Sequence, residues 1–320
     1  MAMNAIETRD LTRYYGTLCA VNGLTLSVDR EVFALLGPNG SGKTTTVLML
    51  TTLLHPTTGS AAVCGHDIVR DGEQVRRCLS YVPQDMAVDI KLTGRENTLL
   101  FAKLYGVVDP NDRVDEVLGV MGLTDRADDL VKTYSGGMRR RLELAQALVH
   151  EPAVLFLDEP TLGLDVAARS TIWEHIRALK KDGVTVFVTT HYMDEADRYC
   201  DRVGIISRGT LVALGVPSVL KARLGKDVIT AQIDGEFKDP CIDGVTLFAL
   251  VNNEASFLAE NGREALPLLA DALTRAGVKV HSLALREPTL DDAFLHAVGT
   301  PEEPAGFDQT KFRTMLRRRK

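Results

Sequence analysis

The chain has 320 residues, 45% of them hydrophobic and 25% charged, which is typical of a globular protein with room for one large and one small domain. Its formal net charge of -6 argues against general nucleic-acid binding, which requires a basic surface. The five cysteines are far apart, odd in number and form no C-x-x-C pair, which excludes a disulfide framework or a cysteine zinc site and indicates a reducing compartment.

No segment of the sequence predicts secretion or insertion into a membrane. A cationic N-terminus followed by an apolar run, the pattern of a secretory signal, is lacking. No stretch approaches the roughly 18 consecutive apolar residues that a spanning helix needs. We therefore expect a cytosolic chain that reaches a membrane only if a partner holds it there.

The first elements in chain order are strands. Short apolar runs between Ile6 and Val28 predict them, and Ala20–Val28 is the clearest candidate. Tyr14 and Tyr15 precede Gly16 in this region, and spacing alone assigns them to strand packing.

A glycine-rich turn follows the apolar run Val32–Leu36. The sequence from Gly37 to Thr44 fits G-x-x-x-x-G-K-[ST], the phosphate-binding P-loop. Lys43 is expected to reach the β- and γ-phosphates, and the Thr44 hydroxyl to ligate Mg²⁺. A side chain beyond Cβ would keep the backbone N–H groups from a polyphosphate, which accounts for three glycines: Gly37, Gly40 and Gly42.

Strands and helices then alternate. The patterns predict a helix from Gly42 to about Leu54, strands over Ala61–Ile68 and Leu79–Val82, helices over Glu96–Tyr105 and Val114–Met121, and a helical stretch beginning at Asp125. After it come a helix over Gly136–Val149 capped by Ser135, a buried strand over Ala153–Leu157, a helix over Ile172–Lys180, and strands over Val184–Thr189 and Val203–Ser207. This alternation predicts an α/β domain with a mostly parallel sheet.

Two carboxylates close the buried strand that ends at Leu157. Ligands bind at the carboxyl ends of parallel strands. There Asp158 can hold Mg²⁺, usually through water, and Glu159 can orient or deprotonate an attacking water. The alternative is a pair of solvated carboxylates, and the P-loop in the same chain favours the functional interpretation.

A second anion site is predicted at the segment 134–141 (YSGGMRRR). Two glycines after the capping Ser135 leave backbone N–H groups bare at the positive end of a helix. A protein with one P-loop needs a second phosphate grip if two subunits face each other and each completes the other's site.

The last part of the chain predicts a separate small domain. A helix over Val216–Leu224 leads into an α+β region at about 225–299. Its elements are strands Val228–Ile233, Val245–Val251 and Val278–Leu285, and helices Glu264–Ala276 and Leu290–Val298. For the basic tail 300–320 two interpretations stay open: contact with anionic lipid headgroups, at about 1 kcal/mol per basic residue, or a solvated end without function.

Further motifs complete a family pattern. Gln84, the segments 158–161 (DEPT) and 163–165 (GLD), and His191 follow in order around the P-loop and the Ser135 helix. Together they resemble the nucleotide-binding subunit of an ABC transporter over about residues 3–222. The resemblance implies an α/β P-loop ATPase domain with a parallel core, an N-terminal antiparallel part and a helical subdomain at about 85–150, followed here by the small α+β domain.

The resemblance also implies a role for each matching residue. Tyr15 would stack on the adenine of ATP, Glu159 would be the catalytic base, and His191 would contact the γ-phosphate. Phosphates would be cradled by the loop made of Gly37, Pro38, Asn39, Gly40, Ser41, Gly42, Lys43, Thr44 and Thr45. Mg²⁺ would be served by Thr44, Gln84 and Asp158, with Gln84 also sensing the water. Contacts across the dimer would come from Ser135, Gly136, Gly137 and Asp165.

Three further segments resemble exporters of the daunorubicin-resistance type: 92–97 (LTGREN), 104–106 (LYG) and 286–295 (REPTLDDAFL). This implies an ATP-hydrolysing subunit that pairs with a second ATP-binding subunit as a homodimer and works with an integral membrane permease, peripherally bound at the cytoplasmic side of the membrane. The cargo would be a drug or lipid, and no nucleic acid would bind. The C-terminal domain would stabilise the dimer or regulate it.

Two alternatives remain from the sequence alone. A soluble ABC ATPase that acts on ribosomes or nucleic acid shares these motifs, although such proteins usually carry two ATPase cores or long coiled-coil inserts. An importer subunit is closer, and only the C-terminal domain and the helical segment argue against it. The neighbouring chain would discriminate, because a solute-binding lipoprotein beside the permease would favour import.

Overall fold

The computed structural model describes residues 4–225, 227–234, 242–251 and 253–298. The chain separates into two compact units, divided between Leu220 and Lys221. The tail 300–320 and Cys241, both considered in the sequence analysis, lie outside the described residues.

The first unit opens with a four-stranded antiparallel sheet in the order β2-β1-β4-β5. Ile6 pairs with Val28 on one side and with Val63 on the other, and all three side chains are buried. The strands are β1 (Ile6–Tyr15), β2 (Leu18–Val28), β4 (Thr58–Val63) and β5 (His66–Asp67). The predicted strand over Ala61–Ile68 is thus two strands, because Cys64 and Gly65 turn the chain with φ of 50° and 79°.

A six-stranded sheet forms the centre of the first unit, in the order β10-β9-β3-β8-β7-β6. Its strands are β3 (Val32–Leu36), β6 (Leu79–Val82), β7 (Val154–Asp158), β8 (Thr185–Thr190), β9 (Arg202–Ser207) and β10 (Thr210–Gly215). All neighbours are parallel except β10, which pairs antiparallel with β9. Every residue of β3, β7 and β8 is buried, as expected for a parallel sheet covered on both faces.

The register of this sheet brings the polar strand ends to one edge. Leu36, the last residue of β3, pairs with Thr190 of β8, and Asp158 of β7 pairs with Thr189. The loops that leave β3, β7 and β8 therefore start side by side at the carboxyl edge. This is where sheet topology places ligands.

Four helices of the first unit lie along its sheets. They are α1 (Lys43–Leu50), α2 (Gly72–Cys78), α6 (Val166–Lys181) and α7 (Met193–Tyr199), and the short helix α8 (Pro217–Ala222) contains the division between the two units. Helix α1 ends four residues before the predicted end at Leu54. The Thr51 hydroxyl donates to the Val47 carbonyl at 2.9 Å, and Thr52 leaves the helical conformation with φ 64°. Helix α6 begins six residues earlier than predicted, where Asp165 caps it by accepting from Ala168 N at 2.8 Å.

A helical part is inserted between β6 and β7. It contains α3 (Gly94–Leu104), α4 (Pro110–Val120) and α5 (Gly136–Leu148). A capping box between Thr93 and Glu96 starts α3, and Ser135 caps α5 as predicted, accepting from Met138 N at 3.2 Å. The predicted helical stretch at Asp125 is wrong as an α-helix: it contains two 3₁₀ turns, Thr124–Arg126 and Val131–Thr133, with extended backbone at Leu130 between them.

The second unit contains an antiparallel sheet in the order β12-β13-β11-β14, with one face covered by α9. Its elements are β11 (Asp227–Asp234), β12 (Val245–Val251), β13 (Glu254–Ala259), α9 (Gly262–Arg275), β14 (Lys279–Arg286) and α10 (Leu290–Val298). Ile229 and Phe257 of the sheet pack with Leu269 and Leu273 of the helix in a buried core. No helix within the described residues is both long and apolar enough to cross a membrane.

Candidate functional site

The loop between β3 and α1 needs its glycines for two different steric reasons. Gly42 has φ 107°, and a Cβ there would lie 2.4 Å from the Ala20 carbonyl oxygen. At Gly37 a Cβ would lie 2.3 Å from the Ile206 carbonyl oxygen. Real Cβ atoms do not approach so closely, so only glycine lets this loop fold tightly between its neighbours.

This loop forms one wall of a cavity of about 250 Å³. The cavity brings together ten predicted site residues, Tyr15, Pro38, Asn39, Gly40, Gly42, Lys43, Thr44, Thr45, Gln84 and Glu159, along with Leu18 and Ala20. The ring of Tyr15 is 44% exposed and has the Arg13 guanidinium 5.0 Å from its centroid. An exposed aromatic ring in the wall of such a cavity can stack on a planar ligand.

The ammonium group of Lys43 lies at the bottom of this site. It is buried, and it donates to the carbonyl oxygens of Gly37 at 2.7 Å and Pro38 at 3.3 Å. Its third contact is the Glu159 carboxylate, with 3.2 Å between Nζ and Oε1. A buried ammonium needs an anionic partner, and the geometry holds the Lys43 charge where phosphate oxygens would reach it.

Glu159 follows the last residue of β7 in a strained turn. Its φ is 49°, the left-handed region that non-glycine residues rarely adopt. Its N–H is held by both the carbonyl and the hydroxyl of Thr189, each at 3.1 Å. The second carboxylate oxygen of Glu159 lies 2.8 Å from Nδ1 of His191. Lys43, Glu159 and His191 therefore form one connected line of side chains.

Asp158 is buried and its carboxylate accepts a hydrogen bond from the Thr189 hydroxyl. Among the described residues no group of three or more His, Cys, Asp or Glu side chains could hold a metal ion by itself. The exposed Thr44 hydroxyl and the Gln84 amide line the same cavity as Glu159. A single carboxylate with a hydroxyl and an amide oxygen fits Mg²⁺, which usually takes its remaining ligands from substrate phosphates and water.

The residues of the second predicted anion site lie elsewhere in the first unit. None of Ser135, Gly136, Gly137 and Asp165 lines the cavity beside Lys43. They are near one another instead: a Cβ on Gly136 would lie 3.5 Å from Leu164, and one on Gly137 would lie 2.9 Å from the Ala168 Cβ at the start of α6. One chain thus carries two separate groups of predicted phosphate contacts.

Sequence reasoning missed two side chains at this site. Thr189 bonds both Asp158 and Glu159, but in the sequence it is only the end of an apolar strand. Arg140 lies in the run of three arginines that opens α5, where nothing distinguishes it from Arg139 or Arg141. A polar residue that ends a buried strand is the signal that could have indicated Thr189.

Arg140 contacts the loops on both sides of the site. Its buried guanidinium donates to the carbonyl oxygens of Pro83 at 2.8 Å, Asp158 at 3.1 Å and Pro160 at 3.0 Å. The same group pairs with the Glu143 carboxylate at 2.9 Å. The residues that flank Glu159 and the residue before Gln84 are thus bonded to one side chain.

Two family models match the chain. The model described as "ABC transporter" matches residues 21–162. The model described as "ATP-binding protein DrrA1-3-like, C-terminal domain" matches residues 215–298. The first range contains the P-loop and the strand end at Asp158. The second range contains the described residues of the second unit.

Similar proteins agree with these models. The daunorubicin resistance ATP-binding protein DrrA3 of Streptomyces coeruleorubidus is 41% identical over 93% of this chain and 97% of its own length. The Nod factor export ATP-binding protein I of Burkholderia orbicola is 39% identical over 93% of this chain and 98% of its own length. A solved ATP-binding subunit of an ABC transporter superposes with a TM-score of 0.62 and 29% identity, over 68% of this chain and 92% of that one.

Proposed function

Because the chain belongs to the ATP-binding subunits of ABC transporters of the daunorubicin-resistance type, and so binds and hydrolyses ATP, we propose that it powers export of a drug-like or lipidic molecule through a separate membrane permease. The observation that carries the proposal is the connected line of Lys43, Glu159 and His191 beside the P-loop. It occurs in a chain whose relatives are named for drug resistance and for export.

In the proposed mechanism Lys43 exchanges the Glu159 carboxylate for the β- and γ-phosphates of ATP. Glu159, still held by His191, then faces a water molecule in line with the γ-phosphorus. The water oxygen bonds to phosphorus, the bond to the bridging oxygen of ADP breaks, and Glu159 takes the water proton. Thr44, Gln84 and Asp158 would hold Mg²⁺, which would supply neutralisation of phosphate charge.

The remaining site residues take binding roles in this proposal. Tyr15 stacks on the adenine, and His191 contacts the γ-phosphate. The backbone N–H groups from Gly37 to Thr45 surround the phosphates, since the steric demands of Gly37 and Gly42 fit a loop built for close approach.

A second copy of the subunit completes the site. The separation of the Ser135 group from the Lys43 cavity supports this, because a second phosphate grip outside the cavity serves a nucleotide held by another chain. Ser135, Gly136 and Gly137 then grip the γ-phosphate bound by the partner subunit, and Asp165 contacts that subunit. Ser135→Arg should abolish closure of the dimer and ATP turnover by steric clash, and full activity of this variant would contradict the dimer.

The permease is proposed to dock beside Gln84 and bind the subunit to the cytoplasmic side of the membrane. Tyr105 and Ala87 line one small cleft, which places the end of α3 next to the loop that follows Gln84. These two segments carry large exposed apolar side chains: Met86, Ile90, Leu100, Leu104, Tyr105 and Val108. Apolar exposure of this extent is typical of a protein contact.

The test uses the Glu159→Gln variant, tagged and expressed in its native cell. Membranes are solubilised with detergent and Mg-ATP, and the proteins that co-purify are identified by mass spectrometry. A polytopic permease supports export, and the pair should then lower accumulation of amphipathic drugs in cells, whereas the pair with Glu159→Gln should not. A solute-binding lipoprotein, ribosomes or DNA in its place would overturn the proposal.

A further inference from the structure

Helix α5 carries a buried ion pair, Arg140 and Glu143. Both side chains are at least 95% buried, and 2.9 Å separates Nη1 of Arg140 from Oε2 of Glu143. A buried ion pair is weak grounds for stability, because removing two charges from water costs free energy that their attraction only partly returns. We therefore expect the role of this pair to lie in the backbone groups that it binds.

The pair holds both ends of the loop that carries Gln84. Nη1 of Arg140 donates to the Pro83 carbonyl at 2.8 Å, one residue before Gln84. The other carboxylate oxygen of Glu143 accepts from the N–H of Ala87 at 2.6 Å, three residues after Gln84. The loop itself is otherwise exposed from Gln84 to Ala87. These two bonds hold both ends of the loop against α5.

The same guanidinium also fixes the turn at Glu159. Nη2 and Nε of Arg140 donate to the carbonyl oxygens of Asp158 and Pro160, the residues on either side of Glu159. Because the N–H of Glu159 is also bonded to Thr189, the backbone at Glu159 cannot rotate without breaking one of these bonds. The planar guanidinium directs its donors in fixed directions, so a change in one loop alters the geometry at the other.

We propose that Arg140 and Glu143 are positioning residues that join the Gln84 loop and the Glu159 turn to helix α5 as one unit. Neither lines the cavity beside Lys43; they act through Gln84 and Glu159. Because Ser135 caps the N-terminus of α5, movement of this end onto a partner's phosphate shifts Gln84 and Glu159 together. The inference rests on the proposed function, which assigns those two residues to the attacking water.

The first experiment separates binding from turnover. Arg140→Gln should leave the Kd for ATP within about threefold and lower kcat by about tenfold or more, because the pair contacts no phosphate. Arg140→Lys should fall between this variant and the wild type, since an ammonium cannot reach all four acceptors. Arg113→Gln is the matched control: Arg113 also donates to two carbonyls, of Leu148 and Val149 at the other end of α5, but to neither loop, and its kcat should stay within about twofold.

The second experiment measures the coupling by hydrogen exchange. In Arg140→Gln, peptides covering 83–88 and 158–164 should both exchange faster, and the peptide covering 37–46 should not change. If Arg140→Gln does not fold, Glu143→Gln serves instead: it keeps the guanidinium bonds to the carbonyls, so it should accelerate exchange at Ala87 and lower kcat with Kd unchanged.

Three results would overturn the inference: kcat within about twofold of the wild type in both Arg140 variants, faster exchange in only one of the two loops of Arg140→Gln, or an equal loss of kcat in Arg113→Gln. Failure of the proposed function is distinguishable, since it would appear as full turnover in Glu159→Gln whatever the Arg140 variants do.

Discussion

At the residue scale, the contact between Lys43 and Glu159 predicts unequal effects of two substitutions. Glu159→Gln removes an anion that competes with phosphate for the ammonium, so ATP should bind several-fold more tightly while turnover falls by about a hundredfold or more. Lys43→Ala should lose ATP binding. Fluorescence titration with ATP and a phosphate-release assay measure both, and wild-type turnover by Glu159→Gln would contradict its role as the base.

Thr189 is the residue whose importance only the fold shows. Thr189→Val removes the hydroxyl that donates to Asp158 and accepts from Glu159 N. We expect a loss of about 1–3 kcal/mol in unfolding free energy, since polar groups at Asp158 and Glu159 lose a partner. We also expect kcat to fall about tenfold, because the turn at Glu159 is less well fixed. Thr189→Ser keeps the hydroxyl and should behave as the wild type in chemical denaturation and in turnover.

At the scale of elements, substitution by alanine should have different effects at the two adjacent glycines that start α5. An alanine at Gly137 would place Cβ 2.9 Å from the Ala168 Cβ, whereas at Gly136 the nearest atom lies 3.5 Å away. Gly137→Ala should therefore lose about 1–3 kcal/mol of stability by overpacking, and Gly136→Ala should not. Gly136→Ala should still lose ATP-dependent dimerisation, because its Cβ obstructs the partner's phosphate. Thermal unfolding and size-exclusion chromatography with ATP separate the two effects.

The C-terminal end of α5 predicts a pH dependence of stability. His150 stacks on Tyr105 with ring centroids 3.8 Å apart, its Nε2 lies 3.0 Å from the Leu79 carbonyl, and its buried Nδ1 has no partner among the described residues. Burial lowers the pKa of His150 below its ordinary value near 6.5. As the pH falls below about 6.5, the unfolded chain binds a proton that the folded chain does not, so stability should decrease.

His150→Gln should reduce this slope of unfolding free energy between about pH 6.5 and 5, measured by urea denaturation. Burial also lowers the pKa of His175. Part of the pH dependence should therefore remain in His150→Gln and decrease further when His175→Gln is added. An unchanged slope in His150→Gln would contradict the account.

The extent to which elements could be predicted follows from their periodicity. Strands β3 and β7 were predictable because they are continuous apolar runs, and helix α5 because Ser135 caps it and its apolar residues recur at helical spacing. Helix α2 was missed because it is seven residues long with only Val75 buried, and the start of α6 because Val166 is 85% exposed. The cavity residues were predictable because the P-loop is local in sequence, whereas Arg140 depends on partners from 18 to 57 residues away.

At the scale of the whole molecule, the two units differ in their relation to ATP. Every cavity residue around Lys43 belongs to the first unit. A chain ending at residue 224 should therefore keep the Kd for ATP within about threefold. It should dimerise more weakly if the second unit stabilises the dimer. Isothermal titration and analytical ultracentrifugation measure these quantities, and loss of ATP binding by a folded 1–224 chain would contradict the division.

The contact between Lys43 and Glu159 also has a consequence for the cell's energy supply. The Glu159 carboxylate and the phosphates of ATP bind the same Lys43 ammonium. Occupancy of the site by ATP therefore depends on its competition with this internal carboxylate. When ATP is scarce, the Glu159 carboxylate stays paired with Lys43. The subunit is then idle as well as unloaded. Export driven by it should therefore decline at a higher cellular ATP concentration than it would without the internal carboxylate.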